Sequence, residues 1–215
     1  MVSKTLATSV AYDAARGVTI LTVLAPDHPW LLSVIAGACA MTGANIVDAQ
    51  IFTTTDGLAL DTIAVSREVD RDEDEGRRAI RIADAIERAL RGDLRLPDVV
   101  SKRAPPKGRI KAFAVEPEVS INNQWSNRYT VVEVSGLDRP GLLYELTTTL
   151  SRLNLNIASA HVATFGERAV DVFYVTDLLG AKIASPTRHA AIKRALIQMF
   201  AAGAEADLVK SAAAG

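Results

Sequence analysis

The sequence predicts an α+β fold made of two similar units, each an antiparallel four-stranded sheet with two helices on one face. The main observation is an internal repeat, in which residues 27–32 (DHPWLL) match residues 138–143 (DRPGLL) at a spacing of 111 positions. Eight of the 27 positions from 27 to 53 are identical at this spacing, whereas random pairing gives about one in fifteen. A shared order of strand and helix patterns and a proline-rich segment between the copies complete the prediction.

Each copy of the repeat begins with a β-branched segment, residues 18–25 and 129–135, which predicts a strand. A helix follows, for which Asp27 or Asp138 is the expected N-cap, and the proline two positions later belongs to its first turn. Apolar residues recur along one face of each helix, as expected for a helix packed on a sheet. They are Leu31, Leu32, Ile35 and Cys39 in the first unit, and Leu142, Leu143, Leu146 and Leu150 in the second.

A further strand, a hairpin turn containing glycine, a third strand and a second helix follow in each unit. The third strands cover residues 58–65 and 169–176, where Asp61 matches Asp171 at a spacing of 110 positions. The expected apolar faces of the second helices are Ile80, Ala83, Ile86 and Leu90, and Ile192, Leu196, Met199 and Phe200. This order of elements is typical of ferredoxin-like, split β-α-β folds.

Such a sheet needs a fourth strand, for which residues 8–13 and 118–122 are the candidates. We expect each to form a hairpin with the strand that follows it and to occupy a sheet edge, and residues 110–115 could extend the second hairpin. Two adjacent prolines exclude a helix or central strand between the units. The predicted organisation is a first domain at residues 1–104, a linker at 105–109 and a second domain at 110–215.

Composition argues against several classes of function. The 24 basic and 25 acidic side chains give a net charge of −1, unlike the basic surface of most nucleic-acid-binding proteins. Aromatic residues make up 5% of the chain and are missing from residues 58–65, which argues against an RNA-binding ferredoxin-like domain. No apolar stretch is long enough to span a bilayer and no secretory signal is visible, so we expect a cytoplasmic protein without a membrane partner.

The sequence gives no sign of a metal, a cofactor or a catalytic centre. Cys39 is the single cysteine, and the three histidines, at positions 28, 161 and 189, lack metal-ligand spacing. No nucleophile–base motif or phosphate-binding loop is recognisable. We therefore expect no catalysis by this chain and no cofactor.

The repeated strand–DxPxLL–helix–NI–strand unit resembles the ACT domain, a ligand-sensing regulatory module. More specifically, residues 43–62 (GANIVDAQIFTTTDGLALDT) resemble the first ACT repeat of bacterial bifunctional PII uridylyltransferase/uridylyl-removing enzymes. Residues 126–146 (SNRYTVVEVSGLDRPGLLYEL) resemble the second repeat. The resemblance extends over residues 8–203, nearly the whole chain.

This resemblance implies a glutamine-sensing region that controls nitrogen-regulatory nucleotidylation. In the family, such a region ends a larger enzyme whose catalysis belongs to nucleotidyltransferase and HD domains. The chain has neither a Gly-Ser followed by paired aspartates nor a His-Asp dipeptide, so those catalytic domains are its expected partners. A free-standing tandem-ACT regulator that acts through a protein partner is the alternative interpretation.

The loop before the first helix of the second unit is the main candidate binding site. Free backbone amides at a helix start suit a carboxylate, Arg139 could add charge at the rim, and Asp138 could receive an ammonium group. The Asn156 side chain offers a donor and an acceptor, which together fit an amino acid, glutamine by the resemblance. The predicted site residues are Asp138, Arg139, Pro140, Gly141, Leu142, Leu143, Asn156 and Ile157. The alternative is that the loop residues only start a helix and that Asn156 caps a turn.

The equivalent loop of the first unit is a weaker candidate. Its residues are Asp27, His28, Pro29, Trp30, Leu31, Leu32, Asn45 and Ile46. Trp30 replaces the glycine of the second loop, and its side chain would either block a ligand or form an apolar wall for one. Because exposed sheet edges are usually covered, we also expect ACT–ACT packing, within the chain or in a homodimer, with the ligand at that interface.

Overall fold

The computed structural model describes residues 6–54, 56–66, 75–94, 96, 115–139 and 141–213. The strands are β1 (Ala7–Asp13), β2 (Val18–Pro26), β3 (Ile46–Thr53), β4 (Leu58–Ser66), β5 (Glu118–Asn122), β6 (Thr130–Leu137), β7 (Leu155–Phe165) and β8 (Arg168–Asp177). The helices are α1 (Leu31–Thr42), α2 (Glu75–Leu90), α3 (Leu142–Arg152) and α4 (Pro186–Ala213).

All eight strands form one antiparallel sheet in the order β1-β2-β4-β3-β7-β8-β6-β5. The predicted α+β class is confirmed, and each half of the chain contributes four adjacent strands. The halves do not keep separate sheets, because β3 of the first half pairs with β7 of the second. The predicted linker at 105–109 lies outside the described residues, so the domain boundaries stay predictions.

Both predicted edge hairpins are present. β1 pairs with β2 from Ala7 to Asp13, and β5 pairs with β6 from Glu118 to Asn122. The suggested extension of the second hairpin falls on residues 110–115, of which 110–114 lie outside the described part of the chain. In the observed strand order, β1 and β5 are the two edge strands at opposite ends of the sheet.

One apolar core joins both halves of the chain. Alternate strand residues and the apolar stripes of the helices form a single buried cluster, which includes Ile35 and Cys39 from α1 and Leu146 and Leu150 from α3. Burial also raises the pKa of the Cys39 thiol to about 12, so it stays protonated as a core residue. The opposite face of the sheet is partly exposed, with Phe52 64% accessible.

Helix α2 is turned relative to the prediction. Ile80, predicted to face the core, is 66% exposed, whereas Ile82 is buried. The buried residues of α2 follow the helical period, and they are Ala79, Ile82, Ala83, Ala85, Ile86 and Ala89. Alanines make up much of this buried face, so a prediction based mainly on the large aliphatic residues placed the face wrongly.

The junction between β3 and β7 has an internal twofold pattern. Asp48 pairs with His161, Ala49 with Ala160, and Gln50 with Ser159. Ala49 and Ala160 are equivalent positions of the repeat, and both are fully buried. Equivalent residues therefore face each other across the junction, and the two halves pack edge to edge within the chain, which is one of the two arrangements predicted.

Candidate functional site

The loops before α1 and α3 begin as extensions of the sheet. The amide of Asp27 donates to the Gly57 carbonyl, and the amide of Asp138 donates to the Glu167 carbonyl. The prediction that these aspartates are N-caps is wrong, since the N-cap residues are Trp30 and Gly141 and neither cap uses a side-chain hydrogen bond. The aspartates continue the β2–β4 and β6–β8 ladders, and they lie three residues before the cap.

A tight turn connects each aspartate to its helix. The amide of Leu31 donates to the carbonyl of His28, and the amide of Leu142 donates to that of Arg139. The Leu142 amide lies at the helix start that was predicted to meet a carboxylate, but it is already used within the turn. Pro29 precedes its helix instead of lying in the first turn, and Pro140 lies outside the described residues.

The two loops differ at the residue before the helix. Gly141 has a φ of 83°, in the left-handed region that favours glycine, whereas Trp30 has a φ of −99°. A bulky residue at position 141 would therefore strain the backbone as well as fill space. Loss of ligand binding in a Gly141 variant would report on the fold and on the site together.

Arg139 was expected to add charge at the rim of the loop, but its side chain is mostly buried. Its guanidinium donates two hydrogen bonds of 2.6 Å to the Glu145 carboxylate, and the side chain is 10% exposed. It also approaches the sulfur of Met199 on α4 at 3.6 Å. Arg139 ties the loop to α3 and α4, with its charge balanced by Glu145.

Asn156 lies far from the loop with which it was predicted to form a site. Strands β6 and β7 are both antiparallel to β8, so they run in the same direction. Arg168 pairs with Leu137 at the loop end of the sheet, whereas Asn156 pairs with Thr176, eight residues further along β8. That separation corresponds to about 27 Å.

The β3–β7 junction places each asparagine at the same end of the sheet as the other half's loop. Because β3 and β7 are antiparallel and centred on Ala49 and Ala160, the start of β7 lies beside the end of β3. Thr53, at the end of β3, donates a hydrogen bond of 3.1 Å to the Asp27 carboxylate. Asn156 therefore shares the sheet end of Asp27, and by the same symmetry Asn45 shares that of Asp138.

The first loop also contacts the second half directly. The Ser151 hydroxyl of α3 donates a hydrogen bond of 2.7 Å to the carbonyl of Pro29. Beside it, the Nδ1 atom of His28 accepts a hydrogen bond of 3.2 Å from the Trp30 amide. Desolvation lowers the pKa of His28, which favours the neutral ring that this hydrogen bond needs. The two predicted isoleucines, Ile46 and Ile157, are buried in the core.

Sequence reasoning missed two buried carboxylates below these loops. Asp61 on β4 is 0% exposed and Asp171 on β8 is 2% exposed. The pKa of both carboxyls is raised to about 7, mainly by burial and in addition by the charges of Asp27 and Asp138, respectively. The signal was present in the sequence, because an aspartate interrupts the apolar alternation at the same place in both repeats.

Comparison with known proteins finds a family match in the second half of the chain. Residues 130–184 match the ACT domain family. The region from Val18 to Ser66 repeats the same arrangement of strands and helix, as described above.

The chain further resembles the C-terminal part of bifunctional uridylyltransferase/uridylyl-removing enzymes. It is 72% identical over 204 residues to that of Rhodopseudomonas palustris, and the match covers 94% of this chain and 22% of the relative. It is 74% identical over 196 residues to that of a Bradyrhizobium species, with 91% and 21% covered. The chain thus spans about a fifth of the length of these relatives.

Solved structures add little to this. A protein of unknown function from Galdieria sulphuraria aligns over 84% of this chain and 89% of its own, with a TM-score of 0.27 and 14% identity.

No helix among the described residues is long and apolar enough to cross a membrane. The described residues also contain no group of three or more potential metal ligands.

Proposed function

We propose that the chain is the amino-acid-sensing regulatory region of a cytoplasmic PII-protein uridylyltransferase/uridylyl-removing enzyme, with glutamine as its ligand. In this proposal it consists of two ACT domains, and catalysis belongs to other domains of the parent enzyme. The observation that carries it is the identity above 70% to such enzymes over more than nine-tenths of the chain.

The fold supports two composite binding sites. One would combine the loop from Asp27 to Trp30 with Asn156, and the other would combine the loop from Asp138 to Gly141 with Asn45. A helix start provides positive potential for the ligand carboxylate. A side-chain amide can donate to and accept from the amide of glutamine.

Composite sites explain how a ligand could be sensed. Each site takes residues from both halves, so a ligand that fills it favours the arrangement in which the halves are paired as described. A ligand can shift the equilibrium toward the paired arrangement of the halves only if it binds that arrangement more tightly than any other. The junction of β3 and β7 is therefore the element through which binding would reach the catalytic domains.

Calorimetric titration with glutamine, glutamate and other amino acids tests the proposal. We expect saturable binding of glutamine, and we expect Asn45→Ala and Asn156→Ala each to weaken it by about 1–3 kcal/mol, because a polar group of the ligand loses its partner. Gln198→Ala, on the exposed side of α4, is the matched control. Wild-type glutamine affinity in both asparagine variants would refute the composite sites, and lack of binding by any amino acid would refute the proposed function.

A further inference from the structure

Each half of the molecule places a buried strand aspartate beneath a loop aspartate. In the first half these are Asp61 and Asp27, and in the second half they are Asp171 and Asp138. The charge of each loop aspartate acts on its strand aspartate. The repeat relates Asp27 to Asp138 and Asp61 to Asp171, so the same pair of acids occurs twice in equivalent places.

The strand aspartates lack the partners that a buried carboxylate needs. Among the described residues, both carboxylate oxygens of Asp61 lack a hydrogen-bond partner, and so does Oδ1 of Asp171. The remaining interaction of the Asp171 carboxyl is a backbone hydrogen bond with Ala163. A buried polar group without partners is costly, and a charged one more so. These unpartnered oxygens leave acceptor capacity unused, and the charge of the loop aspartate of the same half is close enough to act on the carboxyl.

We infer that Asp61 and Asp171 receive the ammonium group of the amino-acid ligand, each together with the aspartate of the loop above it. This inference rests on the proposed function and names the part of the ligand that the two acid pairs recognise. The ligand class is therefore α-amino acids with a free ammonium group, as opposed to carboxylic acids or amides that lack one.

An ammonium group matches the arrangement better than other cations do. It carries three donors and a positive charge, which suit a pair of carboxylates as acceptors. A metal ion would need more ligands, and the described residues form no group of three or more. The ligand carboxylate would then face the helix start, which has the opposite potential.

Binding would also release a proton. In the free protein below about pH 7, the strand carboxyl keeps its proton because it is buried and the charge of another acid acts on it. When the ammonium group binds, its positive charge stabilises the ionised form of both acids, and the proton of the strand acid passes to the buffer. Neighbouring cationic side chains do not take the place of the ligand's ammonium group beside the acids. Arg139 is paired with Glu145, and the pKa of His28 is lowered by desolvation.

The experiment is calorimetric titration of the 215-residue chain with glutamine at pH 6 and pH 8, in two buffers of different ionisation enthalpy. We expect release of about one proton per site at pH 6 and almost none at pH 8, with affinity that rises between these values. The analogue 4-carbamoylbutanoate, which is glutamine without its amino group, should bind at least about tenfold more weakly.

Isosteric variants separate the contribution of the acids. Asp61→Asn and Asp171→Asn should each reduce glutamine affinity at one site by about tenfold or more and remove the proton release from that site. Asp84→Asn, on the exposed side of α2, is the matched control, and circular dichroism reports the fold. The proton count of the wild-type chain decides the matter even where a variant fails to fold.

The possible failures are distinguishable. Glutamine binding without proton release would overturn this inference and leave the proposed function intact. Unchanged glutamine affinity in folded Asp61→Asn and Asp171→Asn would do the same. If the wild-type chain binds no amino acid at either pH, the proposed function and this inference both fail.

Discussion

At the scale of single residues, Asp61 makes stability depend on pH. Its pKa is raised from 3.8 to about 7 by burial in the folded chain. Between these values the unfolded chain gives up its proton while the folded chain keeps it, so the folded state loses stability as pH rises and the loss is complete above about pH 7. Without ligand, Asp61 therefore destabilises the fold most at alkaline pH.

Asp61→Asn should remove this penalty. We expect the variant to gain about 2–4 kcal/mol of unfolding free energy relative to wild type at pH 8, and much less at pH 4, where the wild-type carboxyl is protonated in the folded state. Urea denaturation at the two pH values measures the difference. The exposed Asp84→Asn variant should show no such pH trend, and an equal gain at both pH values for Asp61→Asn would contradict the prediction.

Residue types alone indicated part of the site. The DxPxLL loops and their duplication were visible in the sequence, and so was the repeated aspartate at positions 61 and 171. The backbone position of Asp27 and Asp138 could not be predicted, because an aspartate two residues before a proline looks like an N-cap whether or not its backbone continues a strand ladder. Only the hydrogen bonds of the two aspartate amides show that it does.

At the scale of elements, the contact between α3 and the first loop can be tested with one hydroxyl. Ser151 is buried, and its hydroxyl hydrogen-bonds the Pro29 carbonyl across the junction of the halves. Ser151→Ala should lower the unfolding free energy by about 0.5–1.5 kcal/mol, the usual contribution of such a bond. Ser120→Ala on the exposed surface of β5 is the control, and equal stability of the two variants in urea denaturation would count against the contact.

The order of elements was predictable, but the partner of each sheet edge was not. Local patterns located all eight strands and four helices of the described part of the chain, including the edge hairpins. Nothing in the sequence around Ala49 or Ala160 specifies that β3 pairs with β7, because a strand edge can accept any neighbour of suitable register. Because of that single pairing, Asn156 lies at the sheet end of the other half's loop and not at that of its own.

At the scale of the whole molecule, the continuous sheet and shared core predict cooperative unfolding. Because buried residues from both halves form one cluster, neither half can unfold without exposing apolar surface of the other. We expect one thermal transition, with equal calorimetric and van't Hoff enthalpies. Two separate transitions in differential scanning calorimetry would show that the halves are independent domains.

The twofold register at Ala49 and Ala160 has a consequence for how the molecule could respond to its surroundings. Two identical chains joined about such an axis must present two identical binding loops. A duplicated and fused chain is released from that constraint, and here one loop has Trp30 where the other has Gly141. If both loops bind the proposed ligand, the two unequal sites would fill at different ligand concentrations, and one polypeptide would respond to a low and to a high concentration separately.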